Sequence, residues 1–278
     1  MTHRRDETTD AERKAPRFIT ALAEDAATVL AAQRLRYRVF NGTGSSDDCD
    51  HDRGHDLEPV DRDEFDEHCE HLVVRDGHSG DVVGTYRILT AERARAAGRF
   101  YSETEFDCSR LFRVGGRLVE VGRACVDPGY RGGSVITLLL AGLTRFVVEH
   151  RYDYVIGCAS IDVTRGMAEA ANLCRTLVTD HLGPEEWRVV PHQPFRPERP
   201  PGIETAPPSL KPEWPPLIKA YLRFGASVCG EPAWDPVFQT ADVLMLLPMA
   251  AMTPRFRARL LRGELDPTRE RRSTRWAA

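Results

Sequence analysis

Glu120 and Arg123 stand inside an otherwise apolar run, RLVEVGRACV at residues 117–126. A charge buried in a strand is expensive unless it is paired or employed, so the two are candidates for chemistry. In a regular strand they would face opposite sides. Gly122 between them is a natural bulge position, and a bulge there would bring both to one face. It would also free a backbone N–H near Gly122 and Ala124 for an oxyanion. Arg87, inside DVVGTYRIL at residues 81–89, is placed in the same way and could join them. Such a set suits proton transfer by the carboxylate, with the guanidiniums orienting charged groups without shuttling protons. A structural Glu–Arg pair shielding the sheet is the alternative.

A second candidate follows the same run. Tyr130, Arg131, Gly132, Gly133 and Ser134 lie between that strand and a strongly apolar stretch. Backbone N–H groups at a helix start there would attract a phosphate or pyrophosphate. The lysine of a GxxxxGK[ST] loop and the three spaced glycines of a dinucleotide fingerprint are both missing. A plain tight turn explains the segment equally well. Asp48, Asp50 and Asp52 imitate a calcium loop, but Gly54 comes one residue late and Pro59 occupies the closing glutamate position, which favours a solvated loop. Cys69 with His71 invites a thiol nucleophile, yet a packed cysteine is the better reading. No metal site is expected.

These residues need a scaffold, and the hydrophobic pattern supplies one. Ala32, Leu35, Val39 and Phe40 recur at helical spacing after Asp25, a suitable cap, and predict a helix over 26–40 with Arg36 and Phe40 on one face. Segments 71–75 and 81–89 flank DGHSG and predict a hairpin. The strand at 117–126 and its glycine-rich loop lead into a helix whose stripe is Ile136, Leu139, Leu140, Leu143 and Val147. A strand at 152–161 follows, beside the previous one through a crossover. Eleven of the nineteen prolines fall within 184–216 and predict a long surface excursion. The helix at 215–225 and the strand at 241–249 cannot bury a core of their own, so that strand is expected back in the first sheet. The division is a flexible amino terminus (1–17), a single domain (18–250) and a basic carboxyl-terminal tail (251–278).

Composition narrows the partners. The chain has 278 residues, 41% hydrophobic and 29% charged, which fits a globular protein. A formal net charge of −4 gives no global positive field for nucleic acid. Twelve acidic residues between 47 and 70 oppose only Arg53 and Arg62, while eight arginines between 255 and 278 oppose Glu264, Asp266 and Glu270. The basic tail reads as a solvated terminus, with peripheral contact with anionic lipid as the alternative. Seven cysteines without a CxxC pair suit reduced thiols, and no apolar run is long enough to span a bilayer. A soluble cytoplasmic protein is expected.

The ordered set LRYRVF (35–40), DEFD (63–66), GTYRIL (84–89), FYSETEFD (100–107), VEVGRACVDPGYRGG (119–133) and GCAS (157–160) resembles the ornithine-acyl carrier protein N-acyltransferases of ornithine-lipid synthesis. It is similar, more distantly, to autoinducer acyl-homoserine lactone synthases. The resemblance implies an α/β fold of the GCN5-related N-acetyltransferase type, a mixed central sheet flanked by helices. It further implies Arg36 and Phe40 as a helix pair closing over the site, Asp63 and Asp66 as an acidic pair, and Arg87, Glu120 and Arg123 completing a charged cluster. Tyr130 to Ser134 would hold the phosphopantetheine phosphate, although the adjacent glycines depart from the R/QxxGxG/A pattern of coenzyme A users. The implied reaction is transfer of a long, 3-hydroxylated or plain, fatty acyl group from an acyl carrier protein thioester to the amine of ornithine, giving lyso-ornithine lipid. No tightly bound cofactor is implied; the phosphopantetheine thioester, or acyl-CoA in its place, is a co-substrate. Glu120 would deprotonate the amine directly or through a water, and the acyl chain would lie between the sheet and the helix bearing Leu139, Leu140 and Leu143. Arg131, Arg145 and Arg151 are candidates to meet an acidic carrier protein. Other readings are transfer to another amino acid or amine, as in N-acyl amino acid or homoserine lactone synthesis, and an idle module that binds the carrier protein or a membrane.

Overall fold

The computed structural model describes residues 17–41, 59–164, 166–197 and 213–262. The calcium-like aspartates, Asp48, Asp50 and Asp52, lie outside the described residues. In chain order the elements are β1 (Phe18–Leu22), α1 (Ala26–Phe40), β2 (Glu70–Asp76), β3 (Val82–Thr90), α2 (Ala91–Ala97), β4 (Phe106–Asp107), β5 (Leu118–Val126), α3 (Ser134–Glu149), β6 (Tyr154–Asp162), α4 (Met167–Asp180), β7 (Val190–Pro191), α5 (Pro216–Phe224), β8 (Ser227–Val228), β9 (Ala233–Asp235), β10 (Thr240–Pro248) and α6 (Pro254–Leu261). One mixed sheet runs β1-β2-β3-β5-β6-β10-β8, with β9 also on β10, and β4 pairs with β7 apart from it.

Every pairing in the large sheet is antiparallel except β5 with β6, which α3 connects as a crossover. The α3 stripe packs on one face of the sheet, where Leu139, Leu140 and Val147 are buried with Ile88, Val121 and Met245. α1 covers the other face through Ala32 and Leu35, and its amino end is capped by Asp25, which accepts from the Thr28 amide at 2.7 Å. The strand at 240–248 returns to the sheet beside β6, as its inability to bury a core alone requires.

Four features depart from the sequence reading. The irregularity in β5 sits opposite Tyr86, between the Arg87–Gly122 and Thr85–Cys125 pairs, and the residue with positive φ is Arg123 (50°), not Gly122. A bulge can put a side-chain residue in this conformation where its contacts hold it there. The opening part of the proline-rich segment is not a loose excursion. β7 pairs with β4, and Val189 and Phe195 are buried. The domain also runs past residue 250: Met252 and Leu260 are buried, and Phe256 meets Phe224 edge to ring. α4 and β1 went unpredicted although Ala170, Cys174 and Leu177 give α4 a buried helical stripe, and β8 and β9 are too short to carry a pattern.

Candidate active site

On the α1 face, five elements deliver charged side chains to one place. Arg36 of α1 has no exposed surface; its Nε meets Asp61 at 2.8 Å and one terminal nitrogen meets Asp66 at 2.7 Å. The same nitrogen donates to the Asp61 carbonyl at 2.5 Å. Arg87 of β3 binds Asp63 at 2.5 Å and Asp66 at 3.1 Å. Arg123 of β5 reaches Asp61 and Asp63, each at 3.4 Å. Gln33 donates to Asp66 at 3.4 Å, and the His71 Nε2 lies 3.1 Å from the Asp66 carbonyl. Three guanidiniums are thus bridged by three aspartates, a geometry in which burial is matched by opposite charge. Burial opposes the Asp66 charge, yet Arg36, the Asp63 amide and Arg87 hold its carboxyl down to about 2.

The aromatic frame is equally specific. The Arg123 guanidinium lies over Phe238, Tyr101 and Phe40, and Arg87 lies over Tyr101 and Phe65. Arg36 therefore belongs to the buried network rather than to a closing pair, while Phe40 meets Arg123 and Phe238. Cys69 is a packed thiol, pushed up to about 12 by burial, and burial also lowers His71. That pair carries no nucleophile at neutral pH.

Glu120 is on the same face but beneath the surface. Its two oxygens accept from the amides of Tyr101 and Ser102 at 2.7 and 2.8 Å, and it is 4% exposed. Burial pushes its carboxyl up against those two hydrogen bonds. Its carboxylate therefore anchors the turn at Tyr101–Thr104. The same turn leads to Glu105, which sequence reasoning passed over. The Tyr101 hydroxyl and Cys158 thiol lie beside Glu105, yet neither of its buried oxygens has a hydrogen bond of good geometry. Burial, and then the Asp242 charge, push Glu105 up to about 8. Asp242 of β10 is 4% exposed and its Oδ1 is likewise unpartnered; burial raises it against the nearby Ser160 and Thr240 hydroxyls. Asp242 offered the same signal as Glu120, an acid in an apolar strand.

Between the two sets the sheet opens. β5 and β6 pair at Leu118–Tyr154, Val119–Val155 and Glu120–Ile156, and then part, although both strands run on. Gly157 marks the closed end: any Cβ there would collide with the Val121 carbonyl oxygen. Gly122 faces the open part, and a Cβ on it would touch nothing within 4 Å. On the α3 side the closed end meets an apolar cleft lined by Val121, Leu140, Leu143, Tyr221, Met245 and Met252. Leu139 is not among the lining residues; it packs beside Gly84. The Tyr86 and Tyr221 hydroxyls meet nearby.

The glycine-rich loop stands at the start of α3, where Gly133 takes φ 94° as the N-cap. Tyr130 is held away from the opening by Asp76, to which its hydroxyl donates at 3.1 Å, and by the Phe18 ring. The Arg131 Nε donates to the Val126 carbonyl at 3.4 Å, and a Cβ on Gly132 would meet nothing. Arg131, Arg145 and Arg151 are all exposed, but α3 separates the first from Arg145 by about 17 Å at 1.5 Å per residue and from Arg151, past the helix end, by more, so they do not form one patch. Among the described residues no helix is long and apolar enough to cross a membrane.

Residues 35–141 match the model of an acetyltransferase (GNAT) domain. The chain is 36% identical over 246 residues to an L-ornithine N(alpha)-acyltransferase of Rhodobacter capsulatus, covering 85% of this chain and 92% of that one. It is 34% identical over 253 residues to the protein of the same name from Brucella abortus, covering 84% and 85%. Among solved structures, an N-acyl amino acid synthase from uncultured soil microbes aligns with TM-score 0.47 and 12% identity, covering 87% of this chain and 98% of that one. With relatives of that one name matched across most of their length, this chain is an acyltransferase that belongs to the L-ornithine N(alpha)-acyltransferase family.

Proposed function

We propose that the protein transfers a long-chain acyl group from a phosphopantetheine thioester to the α-amine of ornithine, giving lyso-ornithine lipid. The observation that carries this reading is the parting of β5 from β6 beside Gly122, with the charged cluster on one face and an apolar cleft at the closed end. The pantetheine arm brings amides that suit the two unpaired strand edges, and its phosphate suits the loop from Arg131 to Ser134. The fatty chain takes the apolar cleft, and the amine approaches from the α1 face. Its nitrogen attacks the thioester carbonyl, the N–C bond forms as the C–S bond breaks, and the thiol departs with a proton. Backbone N–H groups around Gly122 and Ala124 hold the oxyanion. Glu120 receives the ammonium proton through a water; Asp63, Asp66, Arg87 and Arg123 fix the shape of the pocket.

Acyl carrier protein is the donor in this reading, with Arg131 beside the opening as its contact, and the amphiphilic product fits peripheral contact between the tail arginines and anionic lipid. The test is mass spectrometry of lipids from a host expressing the wild-type chain, Glu120→Gln or Gly122→Val. A mono-acylated ornithine amide is expected from the wild type alone. Gly122→Val should fold with a melting temperature close to wild type, because a Cβ at this position meets no atom within 4 Å. An acylated amine other than ornithine, or wild-type-like product from Gly122→Val, overturns the reading.

A further inference from the structure

Two acids on the α1 face have no part in the chemistry above. Glu105 follows the turn that Glu120 anchors, and Asp242 lies on β10 opposite Ser160 of β6. Cys158, beside Glu105, and Ser160, beside Asp242, alternate on the stretch of β6 that has left β5. Both acids therefore border the opening where an acceptor must enter. Their oxygens are the unusual feature. Buried carboxylates elsewhere on this face are hydrogen-bonded, as Glu120 is to two amides and Asp66 is to Arg36 and Arg87. Both Glu105 oxygens and Asp242 Oδ1 are buried without a hydrogen bond of good geometry, and what lies beside them is neutral: the Tyr101, Ser160 and Thr240 hydroxyls and the Cys158 thiol. The Arg123 guanidinium, whose charge is felt by Asp242, is engaged by Asp61 and Asp63.

Unpaired buried acceptors ask for donors, and two carboxyl groups whose charges oppose one another ask for a cation that keeps its charge. A primary alkylammonium brings three N–H donors and a positive charge that persists at neutral pH. A base for the reacting amine would need only one carboxyl group. We infer that Glu105 and Asp242 together receive the side-chain ammonium of the acceptor, and so select a diamino acid over a neutral amino acid of the same length. This assignment rests on the proposed acylation of ornithine and names the residues that recognise it.

The test compares ornithine with norvaline, the same chain without the terminal amine, in wild type, Glu105→Gln and Asp242→Asn with one acyl carrier protein thioester. The wild type should favour ornithine in kcat/KM, since a site built for a donor rejects the analogue lacking it by about 10⁴-fold at best. Each variant should shrink that preference by at least about 30-fold, mostly through the KM for ornithine. The preference is a ratio within one protein, so a loss of folded enzyme cancels. A preference within two-fold of wild type in both variants overturns the assignment, as does an equal fall on both substrates. Wild type that acylates norvaline as well as ornithine also overturns it. A wild type that makes no acylornithine from any thioester instead refutes the proposed reaction itself.

Discussion

Glu105→Gln should stabilise the protein, and more so the higher the pH. The Glu105 carboxyl is raised from 4.5 to about 8, first by burial and then by the Asp242 charge. A carboxyl raised on folding favours the native state while it is protonated. That contribution is whole below about pH 4.5 and is lost as pH climbs through 8. At about 1.36 kcal/mol per pKa unit the full loss is roughly 5 kcal/mol, and the residue's partial exposure brings the working figure to about 2–3 kcal/mol. Glutamine has the shape of the protonated acid and no titration. Urea unfolding of both proteins at pH 5, 7 and 9 should give nearly equal stabilities at pH 5. A gap of about 2–3 kcal/mol in favour of the variant should open by pH 9. Parallel profiles across that range would falsify the buried, uncompensated state assigned to this side chain.

The network around Asp66 predicts the opposite slope. Its carboxyl, held down to about 2 from 3.8, stabilises the fold above pH 4 and loses that effect as pH falls toward 2. Asp66→Asn should therefore cost about 3–5 kcal/mol at pH 7, because Arg36 and Arg87 lose their shared partner, with the gap closing in acid. Urea unfolding at pH 7 and pH 3 checks it, and an undiminished gap at pH 3 would count against the ion network. Gly157→Ala should lower stability by about 1–3 kcal/mol, since its Cβ would collide with the Val121 carbonyl oxygen just past the last pair that joins β5 and β6. A melting temperature equal to wild type would show that the closed end of the opening is looser than described.

How much of this was readable in advance follows from how far each signal travels. The α3 stripe, the hairpin at residues 70–90 and the return of β10 were plain because each is a local hydrophobic period with a single way to be buried. Glu120, Arg87 and Arg123 stood out as charges in apolar strands, but their partners did not. Asp61 is one acid among twelve in its region, and nothing in the chain marks it for Arg36 and Arg123 rather than for solvent. The placement of the bulge failed because glycine is the usual occupant, whereas Arg123 is held at positive φ among two aspartates and three rings. Glu105 lies within FYSETEFD, where acids alternate and only Glu105 has both oxygens buried without a hydrogen bond. Folding of residues 254–261 onto the core was hidden by their arginines, which leave the buried Leu260 inconspicuous.

The joint between β5 and β6 has a mechanical meaning as well as a chemical one. Three residue pairs and the α3 crossover hold the half-sheet β1-β2-β3-β5 to the half-sheet of β6, β8, β9 and β10. Past Ile156 each half exposes an unpaired strand edge in the middle of the molecule, the kind of edge that other proteins hide at great length. An extended ligand that bonds to both edges acts as a ninth strand and turns a hinge into a continuous plate. In the proposed reaction donor and scaffold would then be parts of one sheet, and departure of the spent thiol would be the step that divides it again.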